Sequence, residues 1–148
     1  MIKDKIHALI AQEVKAIQNI PVDGSISGVV DLIYEQVHKN HGKVVISGMG
    51  KAGQIGVNIA TTLSSTGTPA IFLHPSEAQH GDLGVLQPND VLLLISNSGK
   101  TREILELVQL TRNLYPEVQI IALSGQEYSP LADMAHHLLH TGDPKEIC

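Results

Sequence analysis

Apolar residues recur three and four apart along residues 1–17, MIKDKIHALIAQEVKAI, which predicts an amphipathic helix at the N-terminus. The break PVDGS follows, and then a second helical stretch, ISGVVDLIYEQVHKN. From residue 43 the pattern changes. Five short apolar runs read as strands: KVVISG, PAIFLH, DVLLLIS, VQIIALSG and HHLLHTG. Helical stretches separate most of them: QIGVNIATTLSST, TREILELVQLTRNLY and SPLADMAH. The strand runs are continuously apolar rather than alternating, as expected where helices cover both faces of a parallel sheet. The pattern therefore predicts a doubly wound α/β fold: a mostly parallel five-stranded sheet with helices on both faces, flavodoxin-like in order and joined by right-handed crossovers. Residues 1–40 supply the N-terminal helices of a single domain, and residues 43–148 its α/β core. Ligands of such sheets bind at the carboxyl ends of the strands, near the switch point. Three loops are expected there, at residues 48–53, 75–84 and 96–101.

The first loop carries Gly48, Gly50 and Gly53, spaced G-x-G-x-x-G. Gly48 and Gly50 permit positive φ and close backbone approach. Gly53 lets the following helix pack on the strand, and the helix start favours an anion. A dinucleotide site also needs an acidic residue at the end of the second strand to hold the ribose. That strand ends in His74 and Pro75, and Glu77 comes only past the proline. The glycines therefore point to a structural turn or another anion site. No G-x-x-x-x-G-K-[ST] is present. The third loop, SNSGKT, puts Ser96, Asn97, Ser98 and Thr101 at a helix start. One cap needs one hydroxyl, so three hydroxyls around a glycine favour a phosphate monoester over a simple Ser98 cap. Glu103 in the first turn is stabilised by the helix dipole whatever its function.

Composition narrows the classes. The 148 residues are 43% hydrophobic, and mean hydropathy is +0.08. No apolar run reaches the roughly 18 residues a membrane helix needs. No secretory signal precedes Asp4, and the single cysteine, Cys148, leaves no internal disulfide framework. A cytoplasmic protein with no membrane partner is expected. Net charge is −5, with one Phe, three Tyr and no Trp, which argues against nucleic acid as a partner. His136, His137 and His140 cluster in HHLLH. In a strand His136 and His137 point to opposite faces, whereas in a helix His136 and His140 would share one, as zinc ligands often do; no adjacent Glu or Cys completes a ligand set, so no metal site is expected. Asp82 reads as a turn residue.

The segments GMGKAGQIG, TGTPAIFLHPSEAQHGDLG, ISNSGKTREI and KEIC resemble the sugar isomerase (SIS) domain of arabinose-5-phosphate isomerases. The resemblance covers about residues 44–148. HPSEAQHGDLG is its most specific piece, being close to the family's HP-x-E-A-x-HGDLG, whereas SNSG marks SIS domains generally. The resemblance implies an aldose–ketose isomerase that interconverts ribulose 5-phosphate and arabinose 5-phosphate for synthesis of the sugar Kdo, a component of lipopolysaccharide or capsule. It implies that Ser96, Asn97, Ser98 and Thr101 grip the phosphate beside Gly48 and Gly50. It matches Lys51, His80, Glu103 and Glu146 to active-site positions. Glu146 or Glu103 would carry the proton through an enediol, His80 would polarise sugar oxygens or assist ring opening, and Lys51 would stabilise developing charge. No metal or organic cofactor is needed.

The sequence departs from the pattern at Ala52, where the family often has serine, and at Lys100, where many members have glutamate. It stops at Cys148, before the serine- and threonine-rich turn, long helix and histidine of relatives, so a shortened C-terminal end without CBS domains is expected. SIS domains assemble as dimers or tetramers with shared sites, so a homotetramer or homodimer is implied, with a downstream nucleotide sugar as a possible regulator. The alternative function is a non-catalytic module that binds a phosphosugar or nucleotide sugar.

Overall fold

A computed structural model describes residues 1–145; Glu146, matched above to the active site, lies outside the described residues. The five apolar runs form one sheet: β1 (Val44–Gly48), β2 (Ala70–Phe72), β3 (Val91–Ile95), β4 (Gln119–Ser124) and β5 (His137–His140). Its order is β2-β1-β3-β4-β5, and every pairing is parallel, so the sheet is wholly rather than mostly parallel. The register sets Val44 against Val91 and Gly48 against Ile95.

The continuous apolar runs are explained by burial on both sides. Alternate residues of each strand divide between two cores. Val45, Leu92, Leu94, Ile120 and Ala122 face one core. Val44, Ile46, Val91, Leu93 and Ile121 face the other. Each such Val, Leu or Ile side chain taken from water contributes roughly 1.5–3 kcal/mol. The first core is covered by α4 (Pro75–Ala78), α5 (Arg102–Leu114) and α6 (Pro130–Met134) through Ala78, Ile104, Leu107 and Leu131. The second is covered by α2 (Gly24–Ile33), a π-helical turn (Tyr34–Lys39) and α3 (Lys51–Ser65) through Val29, Val37 and Ala60. Gly56 lets α3 sit tightly on the sheet, because a Cβ there would lie 3.0 Å from Phe72 and 3.1 Å from Ile46. The stretch expected to be one second helix is thus two pieces, an α-helix and a π-helical turn. α1 (Ile2–Gln18) stands apart with no buried residue. Among the described residues no helix is long and apolar enough to cross a membrane.

Asp90, 1% exposed, ties the amino ends of β1 and β3 together. Its carboxylate accepts from the Lys43 backbone N–H at 2.9 Å, Lys43 Nζ at 2.6 Å and the Gln87 N–H at 2.8 Å.

The edge strand β5 is joined through His136. Its N–H donates to the Ile120 carbonyl at 2.9 Å, and its Nδ1 accepts from the Ile120 N–H at 2.9 Å. Only an unprotonated Nδ1 accepts. Burial, helped by the charges of Arg112 and His137, lowers the His136 pKa below 6.5. A depressed pKa means that the unfolded chain binds the proton more readily. The stabilisation is therefore complete above the unfolded value and is lost as pH falls through the folded one. Thermal melts from about pH 7.5 to about pH 5 should show a smaller loss of Tm in His136→Asn than in the wild type. Equal losses would contradict this role. His140 is also engaged, its Nε2 lying 3.1 Å from the Gly125 carbonyl. Among the described residues no three His, Cys, Asp or Glu side chains gather as a metal site.

Candidate active site

The order β2-β1-β3 creates the switch point. The chain leaves β1 toward β2 at one edge and returns to β3 on the other side, so the loops after β1 and β3 diverge. α3 descends on one face of the sheet and α5 on the other. The adjacent ends of β1 and β3 bring the glycine loop, with Gly48, Gly50 and Lys51, and the hydroxyl loop, with Ser96, Asn97, Ser98 and Thr101, to the same end of the sheet, and Glu103 follows in the first turn of α5.

The glycines are required for different reasons. Gly50 is left-handed at φ +58 and forms the N-cap of α3. Gly48 has no positive φ; its requirement is close approach, since a Cβ there would lie 2.9 Å from the Ala52 backbone. At Gly53 a Cβ would lie 2.7 Å from the Gly48 carbonyl oxygen. The first turn of α3 therefore rests on the end of β1, with exposed Lys51 as its first residue.

The hydroxyl loop is pre-formed. Buried Ser96 Oγ lies 2.8 Å from Thr101 Oγ1 and accepts from the Gly99 N–H at 3.1 Å. Ser98 Oγ accepts from the Lys100 N–H at 3.2 Å. Thr101, not Ser98, occupies the N-cap of α5, and its hydroxyl is turned to Ser96 rather than back to the helix. Among the described residues the backbone N–H groups of Ser98, Thr101, Arg102 and Glu103 meet no acceptor. Asp23, His74 and Ser129 provide side-chain caps to α2, α4 and α6. The two helices that start at the switch point, α3 and α5, have no side-chain cap.

Charge points the same way. Lys51, Lys100 and Arg102 all lie at helix starts, where a cation opposes the macrodipole. Arg102 is held by Glu106, Nε to Oε1 at 3.0 Å. An anion at either N-terminus would be favoured by the helix dipole. Glu103 is half-buried in the first turn of α5.

His74 caps α4, its Nδ1 accepting from the Ser76 N–H at 3.3 Å. His80 follows this short helix and is exposed. Asp82 opens a 3-10 turn (Asp82–Val85). The loop is tied to α5 by Gln79, whose Nε2 donates to Glu106 Oε2 at 2.7 Å. The structure thus carries His80 to the same end of the sheet. Among the described residues its ring makes no hydrogen bond with the hydroxyl loop or the glycine loop. The loop after β4, with Ser124, Gly125 and Ser129, was missed in the sequence. Its signals are the Gly–Gln pair after an apolar run and the Ser–Pro that opens α6.

Residues 37–148 match the SIS domain family model. Arabinose 5-phosphate isomerase KdsD of Yersinia pestis is 46% identical over 114 residues, which is 77% of this chain but only 34% of that protein. This chain therefore spans about a third of that relative's length. A Bacteroides fragilis protein, described as a candidate phosphosugar isomerase involved in capsule formation, superposes with a TM-score of 0.98 at 57% identity. That match covers all of this chain and 77% of the other. An Escherichia coli CFT073 protein in complex with arabinose 5-phosphate superposes with a TM-score of 0.78 at 36% identity, covering 94% of this chain and 73% of the other. By sequence and by fold, the chain belongs to the SIS domain family.

Proposed function

We propose that this chain is a phosphosugar aldose–ketose isomerase that interconverts ribulose 5-phosphate and arabinose 5-phosphate. The reading is carried by two helix N-termini without side-chain caps, α3 after β1 and α5 after β3, which start from adjacent strand ends beside a pre-formed hydroxyl loop. The cradle suits one phosphate monoester, which accepts from several N–H and O–H donors at once. The sugar-phosphate complex of the related Escherichia coli protein and the name of the Yersinia relative support the sugar assigned.

In this reading Ser96, Asn97, Ser98 and Thr101, with the backbone at Gly48 and Gly50, hold the phosphate and orient C1 and C2. A carboxylate, Glu103 or Glu146, removes a proton from C1 of the ketose while O2 gains one. The enediol then receives the carried proton at C2 as O1 gives up its own, leaving the aldehyde. Lys51 and His80 stabilise the enediolate oxygens or move protons between them. This chemistry balances without an electron acceptor. The product would feed Kdo synthesis for lipopolysaccharide or capsule in the cytoplasm, with a downstream nucleotide sugar as regulator.

A homo-oligomer belongs to the same reading. The chain exposes 8761 Å², against about 7,400 Å² for a compact monomer of this mass. The excess exceeds the roughly 800 Å² per partner of an ordinary interface. α1 contributes to it an unburied stripe that includes Ile6, Ile10 and Ile17, 50%, 54% and 64% exposed. A second copy of this chain is the occupant proposed for that stripe. In sedimentation analysis the wild type should run as a dimer or tetramer, and Ile6→Asp with Ile10→Asp should shift it toward monomer. A monomeric wild type would contradict the assignment.

Calorimetry tests the phosphate cradle. Arabinose 5-phosphate should bind and free arabinose should not. Ser98→Ala should weaken the complex about fivefold, the worth of one hydrogen bond. Binding without turnover would leave a non-catalytic phosphosugar module.

A further inference from the structure

The hydroxyl loop does not hold its shape alone. Gly99 is left-handed at φ +62, and a Cβ there would lie 2.1 Å from Ser129 Oγ. Its carbonyl accepts from the Leu131 N–H, in the first turn of α6, at 3.1 Å. Ser129 is 3% exposed and organises that turn. Its Oγ accepts from the Ala132 N–H at 3.3 Å and donates to the Gln126 carbonyl at 3.3 Å. A second seam lies alongside. The Asn97 carbonyl accepts from the Gly125 N–H at 3.1 Å and from Ser124 Oγ at 3.3 Å. A Cβ on Gly125 would lie 2.2 Å from Asn97 Oδ1.

Capping a five-residue helix accounts for one of these contacts and leaves the rest unexplained. The first turn of α6 is aimed at the hydroxyl loop: Pro130 has no N–H, Leu131 gives its N–H to Gly99, and Ala132 gives its N–H to Ser129. The loop after β4 is therefore a wall against which residues 96–99 are moulded.

We propose that Ser129 is a positioning residue for the phosphate cradle. It holds the first turn of α6 so that the Leu131 N–H fixes the carbonyl of left-handed Gly99. That in turn presents the Gly99 N–H to Ser96 Oγ and keeps the Ser96–Thr101 hydroxyl pair in place. The inference rests on the phosphosugar reading of this site. Ser129 itself touches no substrate; it acts through Gly99.

The test uses the full chain, with arabinose 5-phosphate and inorganic phosphate as probes. Three quantities are followed: affinity by calorimetry, KM against kcat, and the Gly99 amide resonance by NMR without ligand. In Ser129→Ala the Gly99 resonance should move, both affinities should fall about fivefold and KM should rise in step, with kcat little changed. Ser129→Cys fills the same space but accepts the Ala132 N–H only weakly. It should weaken both ligands in the same way, and it carries the test if Ser129→Ala does not fold. A wild-type Gly99 resonance with unchanged affinity in the variants would overturn the positioning role and leave the phosphosugar reading standing. A wild type that binds neither probe would overturn that reading, and this role with it.

Discussion

Glu103→Gln should lower interconversion of ribulose 5-phosphate and arabinose 5-phosphate by about 10²- to 10⁴-fold, the usual worth of a positioned acid–base group. Affinity for arabinose 5-phosphate should change little. The substitution keeps shape and hydrogen-bonding reach but removes the ability to take a proton. Glu103 is half-buried in the first turn of α5, two residues past Thr101. Its own N–H is one of the donors that meet no acceptor among the described residues, at the helix start where the phosphosugar is proposed to bind. Neutralising a carboxylate beside a phosphate also removes a like-charge repulsion, so weaker binding is not expected. Glu146→Gln is the paired measurement: the variant that loses turnover identifies the proton carrier. Full activity in both would contradict carboxylate-mediated transfer.

Asp90→Ala should destabilise the fold by about 3 kcal/mol, as expected when one partner of a buried, hydrogen-bonded ion pair is removed. The carboxylate has three donors and is almost fully buried, while the Lys43 side chain is 20% exposed. Its removal leaves two backbone N–H groups without acceptors between β1 and β3, the strands that carry the site. Asp90→Asn should cost less, because an amide oxygen still accepts from one or two of them. Chemical denaturation would show this as a lower midpoint with an unchanged slope. A loss below about 1 kcal/mol in Asp90→Ala would show that water replaces the carboxylate without penalty.

The sheet was legible because its signal is local and redundant. A run such as VLLLI at β3 buries both faces and reads as apolar throughout, and the helical stretches between runs dictate parallel crossovers. The glycine and hydroxyl loops were legible because Gly50, Gly99 and the three hydroxyls stand at strand-to-helix joins. Detail was lost where contacts far apart in sequence decide the outcome. The SNSGKT stretch offers Ser98 as a cap, yet Ser96 captures the Thr101 hydroxyl and leaves the helix start open. Residues 75–84 read as a loop, but His74 and Pro75 start a one-turn helix that Ala78 and Leu83 pin to the core. The change to π-helical geometry at Tyr34 leaves no mark on the apolar spacing. Ser129 looks like an ordinary cap until Gly99, far earlier in the chain, is seen against it.

In the proposed reaction the loops after β1 and β3 hold a ketose phosphate while it is converted to its aldose through an enediol. Proton NMR of the chain with ribulose 5-phosphate in D₂O tests it most directly. Arabinose 5-phosphate signals should grow, with deuterium appearing at C2 where the carried proton exchanges with solvent. A ketose spectrum that stays unchanged, under conditions where calorimetry shows the sugar phosphate bound, would contradict it.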